Sequence, residues 1–326
     1  MTRPFLLQLF ACLALQAGST HAQTMPTAPG KPVTLVVSFP AGGAPDQIAR
    51  LLAQQLQQRW ATPVVVQNRP GAAGHLGNDS VARAEADGHT LLVTPNTFTM
   101  APHVLAPGAK PPAHVVNDFT PIALVSSSAM LLLAHPSLGV KDARELARRA
   151  KVTPGMTYAS PGNGTPMHIA GELFNHVAGV QIDHVAYRGT SPAISDVLGG
   201  HVKLVYLGLP VAKPLIDSGK LLPLATVDKV RSSLLPDVPT MAEQGFAGVE
   251  TDIWFGVYGP KGLPAGLADN LHQTLNEVVQ MPQVATQLKG MGQVMQPETR
   301  AFFVEKTRAD YHRYGALIKQ FRIMAD

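Results

Sequence analysis

Apolar and polar positions divide the chain into an alternating strand–helix order. Val33 to Phe39 (VTLVVSF) is short, β-branched and continuously apolar, the pattern of a strand buried on both faces. From Asp46 the period changes: Ile48, Leu51, Leu52 and Leu56 share one helical face, with Arg50, Gln54, Gln58 and Arg59 elsewhere. Val64 to Gln67 reads as a second strand, Gly71 to Ala84 as a glycine-rich entry into a helix, and Thr90 to Thr94 as a third strand. That order predicts a parallel sheet with right-handed crossovers.

The alternation resumes downstream. Strands are predicted over Ile122 to Val125, Met130 to Ala134, Met156 to Ala159, His184 to Tyr187, Val202 to Leu207 and Leu222 to Thr226. Helices are predicted over Lys141 to Lys151, through Glu172 to Ala178, and over Pro192 to Leu198. From Pro264 to Lys319 the pattern is mostly helical, with Leu267, Leu271, Leu275, Val278, Phe302, Phe303 and Tyr311 as buried-face candidates. Two α/β halves and a helical tail describe a chain that leaves one domain, builds a second and returns. Residues 31–125 with 246–326 are assigned to domain 1, and 126–245 to domain 2. A proline-rich stretch, Pro107 to Pro112, is the one compositionally biased segment.

The N-terminus sets the compartment. Arg3 precedes an apolar run, Phe5 to Leu15, too short to span a bilayer, and Thr20-His21-Ala22 offers a cleavage site before Gln23. Residues 1–22 read as a signal peptide, which places the mature protein in the periplasm. The single cysteine, Cys12, lies in that run, so the mature chain has no disulfide framework and no thiol nucleophile. A lipoprotein reading around Cys12 is weakened by bulky Phe10 and the short apolar run before it. The net charge of +4 is spread out, with no basic block longer than Arg148-Arg149, which argues against nucleic acid as a partner.

In parallel α/β sheets, ligands gather where strand carboxyl ends meet helix N-termini. Four glycine-rich loops fall there: Pro40 to Asp46, Arg69 to Gly77, Ser160 to Pro166 and Arg188 to Pro192. Any one of them is a tight turn first and a ligand loop second; four on one edge predict a cleft. Gly42 and Gly43 allow close backbone approach, and free N–H groups at a helix start attract anions. Nucleotide motifs do not fit: GAAGHLG has the wrong spacing for a dinucleotide fingerprint, and there is no GxxxxGK[ST]. No G-x-S-x-G elbow occurs. His168 and Glu172, four apart on a helix, are too few ligands for a metal, so His168 is read as bonding the preceding loop. His184 and His201 show no recognisable partner and are read as structural.

These loops carry a resemblance. The segments FPAGG..D..AR (from Phe39), VVVQNRPGAAG (from Val64), DFTPIALV (from Asp118), YASPGNGTPMHIAGELF (from Tyr158), VAYRGTSPAISDVLGG (from Val185) and WFGVYGPKGLP (from Trp254) are, in this order, similar to the tripartite tricarboxylate transporter substrate-binding proteins, the Bug-type periplasmic receptors. The resemblance implies a two-lobed α/β periplasmic binding protein of type II, a clam-shell with parallel-rich sheets flanked by helices. It implies a monomer without cofactor or catalytic role, which captures a small organic acid and passes it to membrane transporter subunits. A carboxylate would be gripped by backbone groups of the first loop, partly through ordered waters, so no lysine is needed there.

Carried over by position, the ligand-binding candidates are Phe39, Gly42, Gly43 and Asp46, then Pro95, Asn96 and Thr97. From the second domain come Ser160, Gly162, Asn163, Gly164 and His168, with Tyr187, Arg188 and Gly189. Asp46 orients the helix start or meets the ligand; Tyr187 is a lid or a core residue; Arg188 pairs a distal carboxylate or is a solvated charge. Ala41, Ala44 and Pro45 depart from the family pattern and remove one N–H and one hydroxyl from the first loop. Lys203 stands where the family usually has an acid, and Leu207 where a polar residue often follows the strand, making the side near Leu207 less polar than in dicarboxylate receptors. Two rival functions use the same scaffold: a sensor for a membrane signalling partner, and an enzyme with Asp46 or His168 as base.

Overall fold

The computed structural model describes residues 31–105, 113–295 and 297–324. The signal-peptide reading and the proline-rich stretch fall outside those residues.

The chain begins with β1 (Val33–Val37), α1 (Ala44–Trp60), β2 (Val64–Asn68), α2 (His75–Ala82), β3 (Thr90–Pro95) and α3 (Thr97–Met100), and then runs as β4 (Phe119–Ser128) out of the first sheet. The second sheet is built from β5 (Met130–Ala134), α4 (Ala143–Ala150), β6 (Thr157–Ser160), α5 (Pro166–Ala178), β7 (Asp183–Ala186), α6 (Thr190–Leu198), β8 (Leu204–Gly208), α7 (Leu209–Asp217) and β9 (Leu222–Thr226). The chain returns as β10 (Ile253–Pro260), followed by α8 (Ala265–Gln280), α9 (Pro282–Gly290), β11 (Val294–Met295) and α10 (Arg300–Phe321).

Among the described residues the strand orders are β11-β4-β10-β3-β1-β2 and β7-β6-β8-β5-β9. Pairing makes β1, β2, β3 and β4 co-directional, with β10 wedged antiparallel between β3 and β4. The second sheet repeats the design: β6, β7, β8 and β9 run one way, and β5 lies reversed between β8 and β9. β5 and β10 are the strands with which the chain enters a sheet after crossing from the other; the two-residue edge strand β11 also runs antiparallel to β4. The outgoing crossing is short, and the longer returning one lies against it. Ala129 alone separates β4 from β5, and the return segment 227–252 pairs with it where Val227 N donates to Met130 O at 2.8 Å.

Both sheets are covered on both faces, which explains the continuous apolar strands. Along β1, Val33, Leu35 and Val37 enter one core while Val36 enters another with Leu92, Phe98, Trp254 and Phe303. In β5, Met130, Leu132 and Ala134 face one side, and Leu131 and Leu133 face the other. On α1, Ile48, Leu52 and Leu56 are fully buried, each contributing about 1.5–3 kcal/mol by leaving water. The tail places Leu267, Leu271, Leu275, Val278 and Phe303 in the core as expected, but not Phe302, which is 46% exposed. Consecutive helical residues lie about 100° apart, so only one of two adjacent phenylalanines can face inward; Tyr314, farther along α10, is the buried aromatic instead.

Candidate ligand-binding site

The first loop is a turn held by side chains from beneath. Ser38, at the end of β1, is buried and its hydroxyl donates to Thr94 Oγ1 at 3.2 Å, aligning the carboxyl ends of β1 and β3. Gly42 has φ +85°, which glycine adopts without a Cβ penalty. Gly43 is the N-cap of α1 and supplies no side-chain cap, and a proline occupies the first turn. Gly42 and Gly43 are exposed and Phe39 is half-buried.

Asp46 faces inward, only 3% exposed. Its Oδ2 accepts from Gly42 N at 2.9 Å and from Arg50 Nε at 3.0 Å. Asn68 Nδ2 donates to Phe39 O at 3.1 Å, and Gln47 Nε2 donates to Gly42 O at 3.0 Å. Burial works to raise the Asp46 carboxyl, but the bonds from Arg50 and Gly42, helped by Asn68, outweigh it and hold the group below the ordinary carboxylate range. Asp46 therefore orients the turn, and its charge is balanced by Arg50. Arg50 and Asn68 were not among the sequence candidates. The i,i+4 spacing of Asp46 and Arg50 was a readable signal; the reach of Asn68 across from β2 was not.

The second loop packs against the first. A Cβ on Gly77 would lie 2.8 Å from Ser38 Cα and 2.9 Å from Arg69 O, so glycine is required for backbone approach. Behind it, Pro95, Asn96 and Thr97 are all buried. Asn96 Nδ2 donates to Asp252 O at 2.7 Å and Asn96 N to Trp254 O at 2.9 Å, tying the end of β3 to the start of β10.

In the second sheet, two loops interlock. Tyr187 N donates to Ser160 O and Gly189 N to Pro161 O, each at 3.0 Å. Ser160 is fully buried; its Oγ accepts from Gly162 N at 3.1 Å and lies 2.6 Å from His184 Nε2. His184 thus has a partner that its sequence neighbourhood did not show, because β6 and β7 are neighbours only in the sheet. His184 also stacks on His168, with ring centroids 4.1 Å apart. His168 Nδ1 accepts from Gly164 N at 3.1 Å, and Thr165 caps α5 by accepting from His168 N at 3.3 Å. The start of α5 is thereby closed from within, whereas α1 and α6 begin at Gly43 and Gly189 without a side-chain cap. Asn163 Oδ1 is buried without a partner. Tyr187 packs on the second-sheet core and its hydroxyl donates to Asp196 Oδ2; burial first, then that bond, push the phenol up to about 12. Arg188 is exposed.

The site residues fall into three groups. Phe39, Gly42, Gly43 and Asp46 form one turn. Gly162, Tyr187 and Gly189 form a second surface, with Arg188 at its edge and fully buried Ser160 beneath it. Asn96, Thr97 and His168 lie behind these surfaces in the packing. Gly164 joins the halves: a Cβ there would lie 2.7 Å from Ala101 Cα and 2.8 Å from Val104 Cγ2 in the segment after α3. Chemically, an uncapped helix start offers fixed N–H dipoles to an anion without burying a bare ion pair. Among the described residues no group of three metal-ligating side chains exists.

His168 gives the site a pH signature. Burial, and then the nearby His184, push His168 down to about 3. The unfolded chain takes up that proton near pH 6.5, so the stabilisation is complete above about pH 6.5. It is lost at about 1.4 kcal/mol per unit as pH falls from there towards 3. His168→Gln, which keeps an acceptor for Gly164 N, should flatten this part of the stability curve. Urea titrations between about pH 4.5 and 7 check it, and an unchanged slope in the variant contradicts it.

Two sheets of matching topology, joined by adjacent crossovers and bearing glycine-rich loops at their strand ends, define a two-lobed α/β solute-binding protein of the periplasmic class. The chain belongs to the tripartite tricarboxylate transporter family of receptors, whose model matches residues 48–323. It is 34% identical over 326 residues to protein BugT of Bordetella pertussis, covering 98% of both chains. Its structure is similar to that of the periplasmic binding protein BugD, with TM-score 0.81 and 31% identity over 92% of this chain and 100% of the other. Rhodopseudomonas palustris Rpa4515 with adipate gives TM-score 0.83 and 30% identity over 91% of this chain and 99% of that one. MatC of the same organism with bound malate gives 0.80 and 29%, covering 89% of this chain and 100% of that one. Among the described residues no helix is long and apolar enough to cross a membrane.

Proposed function

We propose that the protein is a periplasmic receptor that captures a small organic acid between its lobes and delivers it to a membrane transporter. Residues 31–125 and 246–326 form one lobe and 126–245 the other, and the exported chain begins near Gln23 and acts as a monomer. One carboxylate of the solute sits on the N–H groups at the start of α1, over Gly42 and Gly43. The surface of Gly162, Tyr187 and Gly189, backed by buried Ser160, covers it, with Arg188 at the open edge. The observation that carries this reading is the glycine-led, uncapped start of α1, held in shape by the Asp46–Arg50 pair beneath it. Two whole-length structural relatives that hold dicarboxylates, adipate and malate, support the solute class.

Mass spectrometry of the freshly purified native protein should detect a bound organic acid. A thermal-shift panel that includes malate and adipate should then find acids that stabilise the chain, by about 2.7 kcal/mol at a hundredfold excess over Kd. A panel in which no organic acid shifts the transition, while another solute class does, sinks the carboxylate reading. Consumption of a bound acid would make the protein an enzyme.

A further inference from the structure

The second glycine-rich loop ends in a histidine with an unbonded nitrogen. His75 opens α2 and is only 6% exposed, and its Nε2 is buried without a partner. One turn on, on the same helical face, Asn78 Oδ1 is buried in the same condition. The backbone is strained to bring them there. Ala72 and Ala73 both hold left-handed φ, +47° and +53°, which L residues adopt only where the surroundings impose it. Gly74 packs on the base of the first loop: a Cβ there would lie 3.3 Å from Ser38 Cβ and 3.4 Å from Phe39 Cε2. The polar neighbour of the His75 ring is the Ala101 backbone. Burial outweighs that bond and holds the imidazole below the ordinary histidine range, so the ring is neutral at pH 7.

Ala101 is also where the other half arrives. A Cβ on Gly164 would lie 2.7 Å from Ala101 Cα, so the loop from Ser160 to Pro166 is seated on the residue that the His75 ring meets. Beside Gly164 in that loop is Asn163, whose Oδ1 is shielded from solvent and has no partner. An imidazole nitrogen from one half and an amide oxygen from the other therefore stand unbonded at one junction, and Gly74 ties that junction to the first loop. Buried polar groups ordinarily find partners, because leaving them unmade costs their desolvation.

We propose that His75 and Asn163 select a solute with a hydroxyl group near its carboxylate, which makes the captured acid a hydroxy acid; this rests on the carboxylate reading of the cleft. An amide oxygen only accepts, so the group that meets it must donate. A neutral imidazole nitrogen accepts or donates according to its tautomer. A hydroxyl does both and satisfies either tautomer, whereas a methylene satisfies neither atom and an ammonium only donates. The carboxylate of the first turn, Asp46, is paired with Arg50, which leaves no unbalanced charge there for an ammonium.

Calorimetry with acids that differ by one hydroxyl tests this: lactate against propionate, malate against succinate, and citrate against tricarballylate. In the wild-type protein the hydroxylated member of the tightest-binding pair should bind about tenfold or more tighter than its plain partner. His75→Phe and Asn163→Ala remove the polar atoms from either side, and each should bring that ratio below about threefold. The ratio is read within one variant, so a general weakening of carboxylate binding cancels from it. Asn163 is half-buried in a loop, so Asn163→Ala decides the matter even where His75→Phe does not fold. Equal affinities within every pair, or the wild-type ratio retained in Asn163→Ala, overturn the inference and leave the organic-acid reading standing. Aspartate binding tighter than malate puts an ammonium at the junction and overturns it too. Binding of no acid at all sinks the carboxylate reading, and this inference with it.

Discussion

Gly43→Val should fold like the wild-type protein and lose its solute. Gly43 has φ −76° and ψ 169°, extended backbone that valine readily adopts. A Cβ there finds only Pro40 O and Pro45 Cδ, each at 3.7 Å, which is ordinary contact. Losing glycine at the N-cap costs the helix up to about 1 kcal/mol, well within the reserve of a two-lobed protein. The branched side chain would stand over the first-turn N–H groups of α1, where the carboxylate is proposed to lie. Hydrogen bonds to a charged partner contribute about 1.5–3 kcal/mol each, so blocking the turn should weaken binding by about 3 kcal/mol, or more than a hundredfold in Kd. Calorimetry with the acid found in the thermal-shift panel reads this directly. Wild-type affinity in Gly43→Val would place the carboxylate elsewhere.

Gly164→Ala should be the most damaging single methyl group in the site. The residue has φ +71°, where an L side chain costs about 1–2 kcal/mol. Its Cβ would approach Ala101 Cα to 2.7 Å, and that neighbour is backbone, which cannot turn aside. Overpacking of this kind costs a further 1–3 kcal/mol or so, giving a total near 2–5 kcal/mol. Because Ala101 follows β3 and Gly164 follows β6, some of the strain can be relieved by parting the halves, which would weaken solute binding as well. Gly155→Ala isolates the backbone cost, since Gly155 has φ +72° with nothing within 4 Å. Urea unfolding should show Gly164→Ala clearly less stable than Gly155→Ala; equal values would remove the close contact from the account.

The strand–helix order was legible because apolar runs and helical faces are local patterns. Met130–Ala134 and Leu222–Thr226 fall where the sequence places them. The missed elements share a cause. All eight residues of β10 are buried, yet Gly256, Gly259 and Pro260 punctuate it like a loop. A side chain at Gly256 would collide with the Phe303 ring, so the glycine is dictated by α10, some forty-five positions away. Likewise α7 was hidden by Pro210 in its first turn and Pro214 within it. The reversed direction of β10 and β5 follows from crossing between sheets, which no local pattern records.

The site was legible only as loops. Glycine spacing located the turn at Gly42 and Gly43, and the i,i+4 pair could have revealed Arg50. The contact between Ser160 and His184, and the closure of α5 by Thr165 and His168, depend on which strands become neighbours. Asn96 and Thr97 sat beside the right strand end, but the bonds of Asn96 to Asp252 O and Trp254 O depend on a strand the sequence did not announce.

Small-angle scattering of the exported chain, with and without a saturating acid from the panel, tests the two-lobed receptor account most directly. Lobes that close on a solute should reduce the radius of gyration in the bound protein, and the reduction should be absent in Gly43→Val at the same acid concentration. An unchanged radius in wild-type protein that calorimetry shows to be saturated would contradict capture by closure.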